Sequence, residues 1–404
     1  MAPKRQIVNQ HLSRIRYDNM RRVVRAIMHD GPVSRAELAK MTGLSPTAVA
    51  HFVNLLEQDG WLNAEVEGLS SGGRKPNLLS INRKARHVLC IQVTQHRVAG
   101  LIYNLEPETV YRCEKTADAA GDAILTAVFA VADDLTAYAG QHKLNVLALG
   151  VSLPGVVNAE AGRLVYAADL EWQNIRLKDI LEQRYSIAVY LQNDANLAAL
   201  AEKAYGIARN ESAMIYIKDL GGAGILVNNE LYQGHGGAAG EIGHISIDRH
   251  GERCKCGNYG CLYQYVSRAA IEAAAIKGIK QGVATRLARP GDSDFSHITV
   301  AAVLAAAQAG DRLACDIIAD VAVNLGTALV TLVNMMDIRF IVIGGAFAEA
   351  PDFFYTQIMD VFKERTAKIS FEDIRIERAF LLRDADLLGC VCLVLEETFK
   401  KPIL

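Results

Sequence analysis

Residues 244–261 read HISIDRHGERCKCGNYGC and place three cysteines close behind His244 in a short polar stretch. The candidate metal ligands are His244, Cys254, Cys256 and Cys261. One imidazole and three thiolates are the donor set of a closed tetrahedral zinc site. Gly257 and Gly260 let the loop turn sharply between the last two cysteines. The stretch therefore predicts a structural zinc loop.

Two other interpretations of these cysteines are weaker. Cysteine often serves as a small buried hydrophobe, but Arg253, Lys255 and Asn258 make this loop too polar for a core. A disulfide needs an oxidising compartment. The chain opens Met-Ala-Pro-Lys-Arg with no apolar stretch behind it, so we expect no signal peptide, a cytoplasmic location and reduced thiols. The other cysteines lie in apolar surroundings and are expected in the core: Cys90, Cys113, Cys315, Cys390 and Cys392.

The composition indicates a globular protein with more than one domain. The chain has 404 residues, of which 51% are hydrophobic and 22% are charged, and no run approaches a membrane span. Residues 1–86 contain 14 lysines and arginines against 7 acidic residues, whereas the remainder contains 29 against 38. The net charge of −2 therefore hides a basic amino-terminal part, which favours a polyanionic partner at that end.

The amino-terminal residues have the pattern of a helix-turn-helix. Apolar residues follow helical spacing across 19–29, and Gly31-Pro32 ends that helix. A capping box that starts at Ser34 opens a second helix, and Ser45-Pro46 opens a third that runs to about Asp59. The third helix would lie in the major groove of DNA. Its expected DNA-contacting residues are Ser45, Thr47, Ala50, His51 and Asn54.

A predicted β-hairpin follows and completes a winged helix. Gly60-Trp61-Leu62 begins one strand, residues 78–81 form the returning strand, and glycines and serines fill the tip. Arg74 and Lys75 at this tip could reach phosphates or a narrow A·T-rich minor groove. A docking domain with a solvated charged face is the alternative interpretation. The helix caps, the wing and the basic excess together favour double-stranded DNA as the partner.

From residue 87 the pattern changes to strands that alternate with helices. Strands are expected at 87–93, 98–104, 109–115, 146–152, 187–191, 214–218, 225–227 and 340–343. Helices are expected at 123–138, 177–184, from 196 to about 205, 269–281, 300–309, 315–336 and 387–399. Two rounds of this alternation predict two α/β lobes. A ligand is expected in the cleft between them, at the carboxyl ends of strands.

A family resemblance rests on the predicted zinc loop and the residues before it. The matching residues are Gly240-Glu241-Ile242-Gly243-His244 and Cys254-x-Cys256-Gly257-x-x-Gly260-Cys261-Leu262. They resemble the signature of the ROK family, which combines sugar kinases with sugar-responsive transcriptional repressors. The resemblance implies an α/β fold with an N-terminal winged helix-turn-helix and a two-lobe, actin-like ATPase (ribonuclease-H-like) sugar-kinase body. The implied domains are 1–82, 83–192 with the C-terminal helix 385–404, and 193–384 with the zinc loop and a dimer surface.

The resemblance also implies roles for single residues. His244, Cys254, Cys256 and Cys261 would hold a structural zinc ion that shapes the sugar pocket. Asn193 and Asp194 match the pair that contacts the sugar, where the aspartate is the kinases' general base. Glu241 matches a glutamate that binds sugar hydroxyls, His244 would share a sugar contact, and Gly155 lies in the matching Leu-Pro-Gly. Without the resemblance, Asn193-Asp194 would be interpreted as an ordinary helix N-cap.

The chain departs from the kinase pattern where phosphates would bind. Kinases of the family hold ATP with Asp-x-Gly-Gly-Thr-Lys, where this chain has Gln92-Val93-Thr94-Gln95-His96-Arg97. Without that turn, backbone amides cannot approach the phosphates, and Mg²⁺ loses a carboxylate. The second phosphate loop, residues 220–224, keeps glycines but lacks a threonine. Tyr263 stands where a sugar-binding glutamate is usual, so we expect a ligand other than plain glucose or a vestigial pocket.

These residues predict a DNA-binding transcriptional repressor of carbohydrate genes that is not an enzyme. Its effector would be a sugar or sugar derivative that shifts the population of operator-competent protein. Two-fold symmetry implies a homodimer or a dimer of dimers on paired half-sites, on the nucleoid of a bacterial cell. The alternative is an active sugar kinase with an appended DNA-binding module, since Asp194 and the glycines at 221–224 and 344–345 are kept. Control by a protein partner stays open.

Overall fold

The computed structural model describes residues 16, 18–28, 30–63, 66–67, 77–117, 119–289, 291, 294–365 and 373–399. These residues form two units, each with its own five-stranded sheet. The first unit contains the described residues up to Leu153, then Ala159–Gln192 and those from Cys390 onward. The second contains Pro154–Asn158 and Asn193–Gly389. The three-domain division expected from the sequence stays a prediction.

The amino-terminal residues form three helices and a small sheet. The helices are α1 (18–28), α2 (Arg35–Thr42) and α3 (Pro46–Gln58), and the strands are β1 (Val33–Ser34), β2 (Val66–Glu67) and β3 (Asn77–Leu79). The strands pair antiparallel in the order β1-β3-β2. The predicted apolar stripe of α1 is buried at Val23, Val24 and Ile27. The predicted helix-turn-helix is therefore present, whereas the predicted wing tip with Arg74 and Lys75 lies outside the described residues.

Hydrogen bonds confirm both predicted helix starts. Ser34 Oγ accepts the backbone N–H of Glu37 at 3.2 Å, and the Glu37 carboxylate accepts the Ser34 N–H at 2.8 Å. Ser45 Oγ accepts the N–H of Ala48 at 3.2 Å. Each bond satisfies a backbone donor that the first helical turn leaves without a partner. Gly43, with φ of 68°, ends α2 and turns the chain into α3.

The first unit is built on a mixed sheet with the order β11-β7-β4-β5-β6. Its strands are β4 (His87–Val93), β5 (Arg97–Asn104), β6 (Thr109–Thr116), β7 (Val146–Leu153) and β11 (Val189–Asn193). The strand β4 pairs antiparallel with β5 and parallel with β7. Helix α4 (Asp122–Gln141) packs on β5, where a Cβ on Gly100 would lie 2.4 Å from Val131 Cγ1. A hairpin, β9 (Arg163–Ala167) and β10 (Trp172–Ile175), and helix α5 (Leu177–Tyr185) complete this part.

The second unit has a sheet with the order β14-β13-β12-β15-β16. Its strands are β12 (Met214–Lys218), β13 (Gly222–Val227), β14 (Glu230–Leu231), β15 (Phe340–Ile343) and β16 (Arg375–Arg378), and β8 (Val156–Asn158) also belongs to this unit. Its helices are α6 (Asp194–Tyr205), α7 (Tyr263–Val266), α8 (Arg268–Lys280), α9 (Val300–Gln308), α10 (Arg312–Met336) and α11 (Asp352–Arg365). The strand β15 is parallel to both β12 and β16. The long α10 packs against α8, α9 and α11 and forms the apolar core of this unit.

The second half of the terminal helix α12 (Ala385–Thr398) and the residue after it contact the amino-terminal part of the chain. Arg25 of α1 forms an ion pair with Glu396 of α12. The ring of Phe399 lies 4.7 Å from that of Trp61, and the guanidinium of Arg86 lies 4.4 Å from the Trp61 ring centroid. Aromatic and cation–π contacts of this kind add to simple apolar burial. These contacts join the two ends of the sequence within the first unit.

The structure corrects sequence expectations about elements. Strand β13 begins at Gly222 rather than at 225, and it passes close to α6, since a Cβ on Gly224 would lie 2.4 Å from Ala195 O. The helices at 122–141 and 312–336 are long and apolar enough to cross a membrane, although no such run was expected. In both helices the apolar positions are largely buried against the sheet or the neighbouring helices. Core helices of folded domains meet the same length and hydropathy test, so these two helices are weak evidence for a membrane.

Candidate ligand site and metal cluster

The four predicted metal ligands come together in the second unit. Their ligand atoms, one each from His244, Cys254, Cys256 and Cys261, all lie within 4.8 Å of one another. The two sulfurs of Cys256 and Cys261 are 3.6 Å apart, and Cys254 Sγ lies 3.9 Å from His244 Nδ1. Metal–sulfur bonds of about 2.3 Å in a tetrahedron place two sulfurs about 3.8 Å apart. The donor set and its spacing therefore fit a single metal ion.

The loop that carries these ligands is held by its own backbone. The N–H of Ile247 donates to Gly260 O at 2.9 Å, and the N–H of Cys254 donates to Asn258 O at 2.7 Å. Gly260 has φ of 58°, and a Cβ there would lie 1.6 Å from Asp248 O. Only glycine fits such a position. The predicted need for glycine in this turn is therefore confirmed at Gly260.

The candidate sugar residues Asn193 and Asp194 lie where β11 ends and α6 begins. Asn193 is the N-cap of α6, because its Oδ1 accepts the N–H groups of Ala195 and Asn196 at 2.9 and 3.1 Å. Its Nδ2 donates to Gly155 O at 2.9 Å, so the structure brings these two predicted residues together. Asp194 is the first residue of the helix and is not the cap. The N-cap interpretation thus applies to Asn193 alone.

Asp194 belongs to a partly buried ionic cluster. Lys218 Nζ, at the end of β12, lies 2.9 Å from Asp194 Oδ2 and 3.3 Å from Asp386 Oδ2. Burial raises the pKa of Asp194, and the positive charge of Lys218 opposes that rise. Burial alone would lower the pKa of Lys218, but Asp194, Asp386 and Asp219 together raise it above its ordinary value. Lys218 is therefore a permanent cation beside the candidate sugar-binding carboxylate.

Glu241 lies in a segment that docks on the glycine-rich turn before β13. The N–H of Ala223 donates to Gly240 O at 2.8 Å, and the N–H of Gly243 donates to Gly221 O at 3.0 Å. Gly240 has φ of 91°, and a Cβ there would lie 1.9 Å from Ala223 O. Burial, helped by the negative charge of Asp194, raises the pKa of Glu241 to about 6. Glu241 and Asp194 therefore share one electrostatic environment in the second unit.

Residues 92–97, which the sequence predicts in place of the kinase phosphate turn, form a closed β-hairpin. The N–H and the hydroxyl of Thr94 both donate to Arg97 O, at 2.9 and 2.7 Å. The guanidinium of Arg97 donates to Gln92 Oε1 at 3.2 Å. These bonds tie the two strands β4 and β5 together at their connection. The backbone N–H of Thr94 is therefore already used within the turn.

The predicted DNA-contacting residues share the solvent face of α3. Ser45, Thr47, His51 and Asn54 are exposed, and Ala50 is half-buried. The opposite face is buried at Val49, Phe52, Val53 and Leu56. His51 also lies beside Arg16, with 3.2 Å between His51 Nε2 and a guanidinium nitrogen. The exposed face is polar and has a basic neighbour, which suits a recognition helix.

Comparison with known proteins matches both parts of the chain. The profile described as winged helix-turn-helix DNA-binding matches residues 18–63. The profile described as ROK family matches residues 88–397, which is most of the sequence. The chain belongs to the ROK family. The resemblance noted in the zinc-loop residues is therefore confirmed, and so is the winged helix ahead of a ROK body.

Relatives of this ROK protein include regulators and kinases. It is 29% identical over 384 residues to the xylose repressor of Caldicellulosiruptor bescii, covering 94% of this chain and 96% of the relative. A crystal structure of a ROK family transcriptional regulator, a homologue of E. coli MLC protein, has a TM-score of 0.83 and 27% identity and covers 96% of this chain and 98% of its own. A ROK family glucokinase from Streptomyces griseus, in complex with glucose and AMPPNP, has a TM-score of 0.65 and 26% identity. The glucokinase match covers 76% of this chain and 98% of that protein.

Sequence reasoning missed two residues of the candidate site in the ROK body. The sequence pattern marks Lys218 only as the end of a strand and Asp386 only as part of a terminal helix. Asp386 contacts a residue 168 positions away, so no local pattern could place it. A signal for Lys218 was present, because a lysine closes the apolar run Met214–Lys218 next to the glycine-rich turn.

Proposed function

We propose that this ROK protein is a transcriptional repressor that binds operator DNA through its winged helix and responds to a sugar bound by its ROK body. The observation that carries the proposal is that one chain matches both a DNA-binding profile and a ROK profile. The relatives that align with nearly all of this chain are a xylose repressor and a transcriptional regulator. The genes under control would be those of carbohydrate use.

The DNA-contacting residues that we propose are the exposed face of α3 and the wing. They are Ser45, Thr47, Ala50, His51 and Asn54 of the helix and Arg74 and Lys75 of the wing. Side chains of the helix would meet base edges in the major groove, and the wing cations would meet phosphates. The test is binding of a labelled DNA fragment from upstream of the gene that encodes this protein, measured at several salt concentrations. Arg74→Ala should weaken binding and reduce the salt slope by about 1; an unchanged slope removes the wing from the proposal.

The sugar-contacting residues that we propose lie in the second unit. They are Asn193, Asp194, Glu241, His244 and Gly155. Carboxylates and amides suit sugar hydroxyls, because a hydroxyl group both donates and accepts hydrogen bonds. The geometric support is the contact between Asn193 and Gly155 and the shared electrostatic environment of Asp194 and Glu241. Tyr263, whose ring would lie 3.6 Å from a Cβ on Gly221, would help to set the choice of sugar.

We further propose that the protein is not an enzyme. The supporting features are the closed turn at 92–97 and the ion pair that occupies Asp194. Phosphoryl transfer depends on positioned phosphates and Mg²⁺, and the chain lacks the residues that would position them. The second candidate function is an active sugar kinase, favoured by the retained Asp194 and by the similarity to a glucokinase. Sugar-dependent ATP turnover that Asp194→Asn abolishes would establish the kinase.

The metal that we propose for the cluster is zinc. His244, Cys254, Cys256 and Cys261 would hold it, and a bound zinc would supply a rigid structural crosslink with no open coordination position. The metal ligand His244 follows Glu241 by three residues, so the crosslink would fix the segment that carries Glu241. Elemental analysis of the purified protein tests the proposal: one zinc per chain supports it, and none contradicts it.

The remaining proposals concern assembly and location. A homodimer, or a dimer of dimers, would match two DNA half-sites by its two-fold symmetry. A regulator that acts on DNA would work in the bacterial cytoplasm, on the nucleoid. Light scattering of the purified protein tests the assembly, and a monomeric mass with and without operator DNA would contradict it. Control by a protein partner would be indicated by operator binding that no sugar alters.

A further inference from the structure

Lys218 has a hydrogen-bond donor left over beside the candidate sugar carboxylate. An ammonium group has three N–H donors. Two acceptors lie near Lys218 Nζ, Asp194 Oδ2 at 2.9 Å and Asp386 Oδ2 at 3.3 Å, and the described residues offer no third. The Lys218 side chain is 20% exposed, whereas that of Asp386 is 4% exposed. Lys218 therefore reaches solvent at the site, and Asp386 anchors it from the interior.

Asp194 is held as an acceptor next to this donor. Its Oδ1 accepts the N–H of Ala195 at 2.9 Å, and its Oδ2 accepts from Lys218 at 2.9 Å. Each carboxylate oxygen can accept a second hydrogen bond. The Asp194 side chain is 26% exposed, so those acceptors can meet a ligand. A donor and an acceptor less than 3 Å apart can bind two adjacent sugar hydroxyls, one of which accepts a hydrogen bond while the other donates one.

The charges around Lys218 favour a neutral ligand. The positive charge of Lys218 faces the negative charges of Asp194 and Asp386, so the three groups together carry a net charge of −1. A phosphate group brings about two more negative charges into this environment. Like charges at short range disfavour binding, and partial burial strengthens the effect.

We propose that Lys218 is a sugar-binding residue, and that the effector is an unphosphorylated sugar whose adjacent hydroxyls accept from Lys218 and donate to Asp194. The proposal rests on the proposed function and narrows the effector from sugars and sugar phosphates to neutral sugars.

The test is calorimetric titration of the full-length protein with D-xylose, D-glucose, N-acetyl-D-glucosamine and the 6-phosphates of the two hexose sugars. The variants are Lys218→Met, which keeps the length of the side chain, and Lys218→Arg, which keeps its charge. Lys363→Met on the exposed surface of α11 is the matched control. Monodeoxy forms of the sugar that binds are then titrated into the wild type and Lys218→Met. Binding of upstream DNA by each variant reports whether it is folded.

We expect the wild type to bind one neutral sugar at least tenfold more tightly than any phosphate. Lys218→Met should lose tenfold or more in affinity with DNA binding intact, Lys218→Arg should recover part of the loss, and Lys363→Met should change nothing. One monodeoxy sugar should bind the wild type more weakly than its parent sugar does. The same two sugars should bind Lys218→Met equally well, because that variant already lacks the contact with the missing hydroxyl. A merely structural lysine would not produce this difference.

Other outcomes overturn the inference. Full affinity in Lys218→Met, or tighter binding of a 6-phosphate than of its neutral sugar, overturns the role of Lys218 and leaves the sensor function standing. A Lys218→Met variant that has lost DNA binding is replaced by Asp386→Asn, which removes one negative charge and should narrow the preference for the neutral sugar over its phosphate; an unchanged or larger preference overturns the charge argument. A wild type that binds DNA but none of the sugars overturns the sugar-sensor function and this inference with it.

Discussion

At the scale of single residues, the candidate metal ligands show what local sequence can predict. His244, Cys254, Cys256 and Cys261 lie within eighteen consecutive residues, and glycines with positive φ fold the loop that joins them. The short spacing of these residues and the glycines between them are therefore nearly enough to predict the cluster from sequence. Local sequence does not predict the contact between Lys218 and Asp386, because it forms only when a terminal helix packs near a central strand.

Cys254→Ser should remove the metal and destabilise the second unit. A serine hydroxyl is a poor substitute for a thiolate, and a structural metal contributes directly to the free energy of folding. We expect the zinc content to fall from one per chain to near zero and the melting temperature to fall by several degrees. Cys315→Ser, on α10 outside the cluster, is the control and should keep its zinc. Equal zinc in both variants would contradict the assignment of Cys254 as a ligand.

At the scale of elements, helix starts were predictable where the cap residue is an obvious one. Ser34 and Ser45 form the caps that their sequence motifs indicate. The start of α10 was placed at 315 but lies at Arg312, because Asp311 was not recognised as its cap. Asp311 takes part in a turn around residues 285–286 as well as in the helix. Asp311 thus binds both its own helix and a turn that is distant in sequence, and the local sequence pattern does not show the second contact.

Asp311→Ala should destabilise the protein at neutral pH by about 1–2 kcal/mol, the typical cost of a lost N-cap. Asp311 accepts the N–H of Ala314 at 3.1 Å, the N–H of Arg286 at 2.7 Å and the hydroxyl of Thr285 at 3.0 Å. Asp311→Asn keeps an acceptor for the helix and should cost less. Chemical unfolding of the three proteins measures the difference; equal stability would show that the cap contributes nothing.

The stabilisation by Asp311 should depend on pH. Burial acts to raise the pKa of Asp311, but the donors from Arg286, Ala314 and Thr285 outweigh it and lower the pKa below 3.8. A carboxyl whose pKa is lower in the folded state stabilises the protein above its unfolded pKa and loses that effect as the pH falls through the folded value. The difference between wild type and Asp311→Ala should therefore be full at pH 5 and above and shrink below pH 3.8. A constant difference down to pH 2 would contradict this account.

Asn54→Ala should weaken DNA binding by about tenfold. Asn54 is exposed on α3, and an asparagine that reads an adenine contributes about 1–3 kcal/mol of discrimination. The change in affinity should depend on the DNA sequence, unlike that of a phosphate contact. Gln141→Ala, which removes an exposed amide at the end of α4, is the control and should bind like the wild type. Fluorescence anisotropy with upstream DNA and a shuffled fragment measures both effects, and a sequence-independent loss would remove Asn54 from base recognition.

At the scale of the whole molecule, the order of parts was predictable and the contacts between distant segments were not. A basic amino-terminal module, a β-rich start of the ROK body and a later loop of candidate metal ligands are visible in sequence because each has its own composition and periodicity. The packing of α12 on the amino-terminal helices, through Glu396 with Arg25 and Phe399 with Trp61, joins residues more than 300 positions apart. Helix α12 contains both Asp386, which meets Lys218, and Glu396, which meets Arg25.

The central claim is that one chain binds DNA and changes that binding in response to a sugar. The most direct measurement is fluorescence anisotropy of labelled upstream DNA with the wild type and Glu241→Gln, titrated with neutral sugars and their phosphates. We predict that one neutral sugar changes the apparent Kd of the wild type by tenfold or more, and that Glu241→Gln binds DNA normally but ignores that sugar. Operator binding that no sugar alters, together with sugar-dependent ATP turnover by the same protein, would contradict the account.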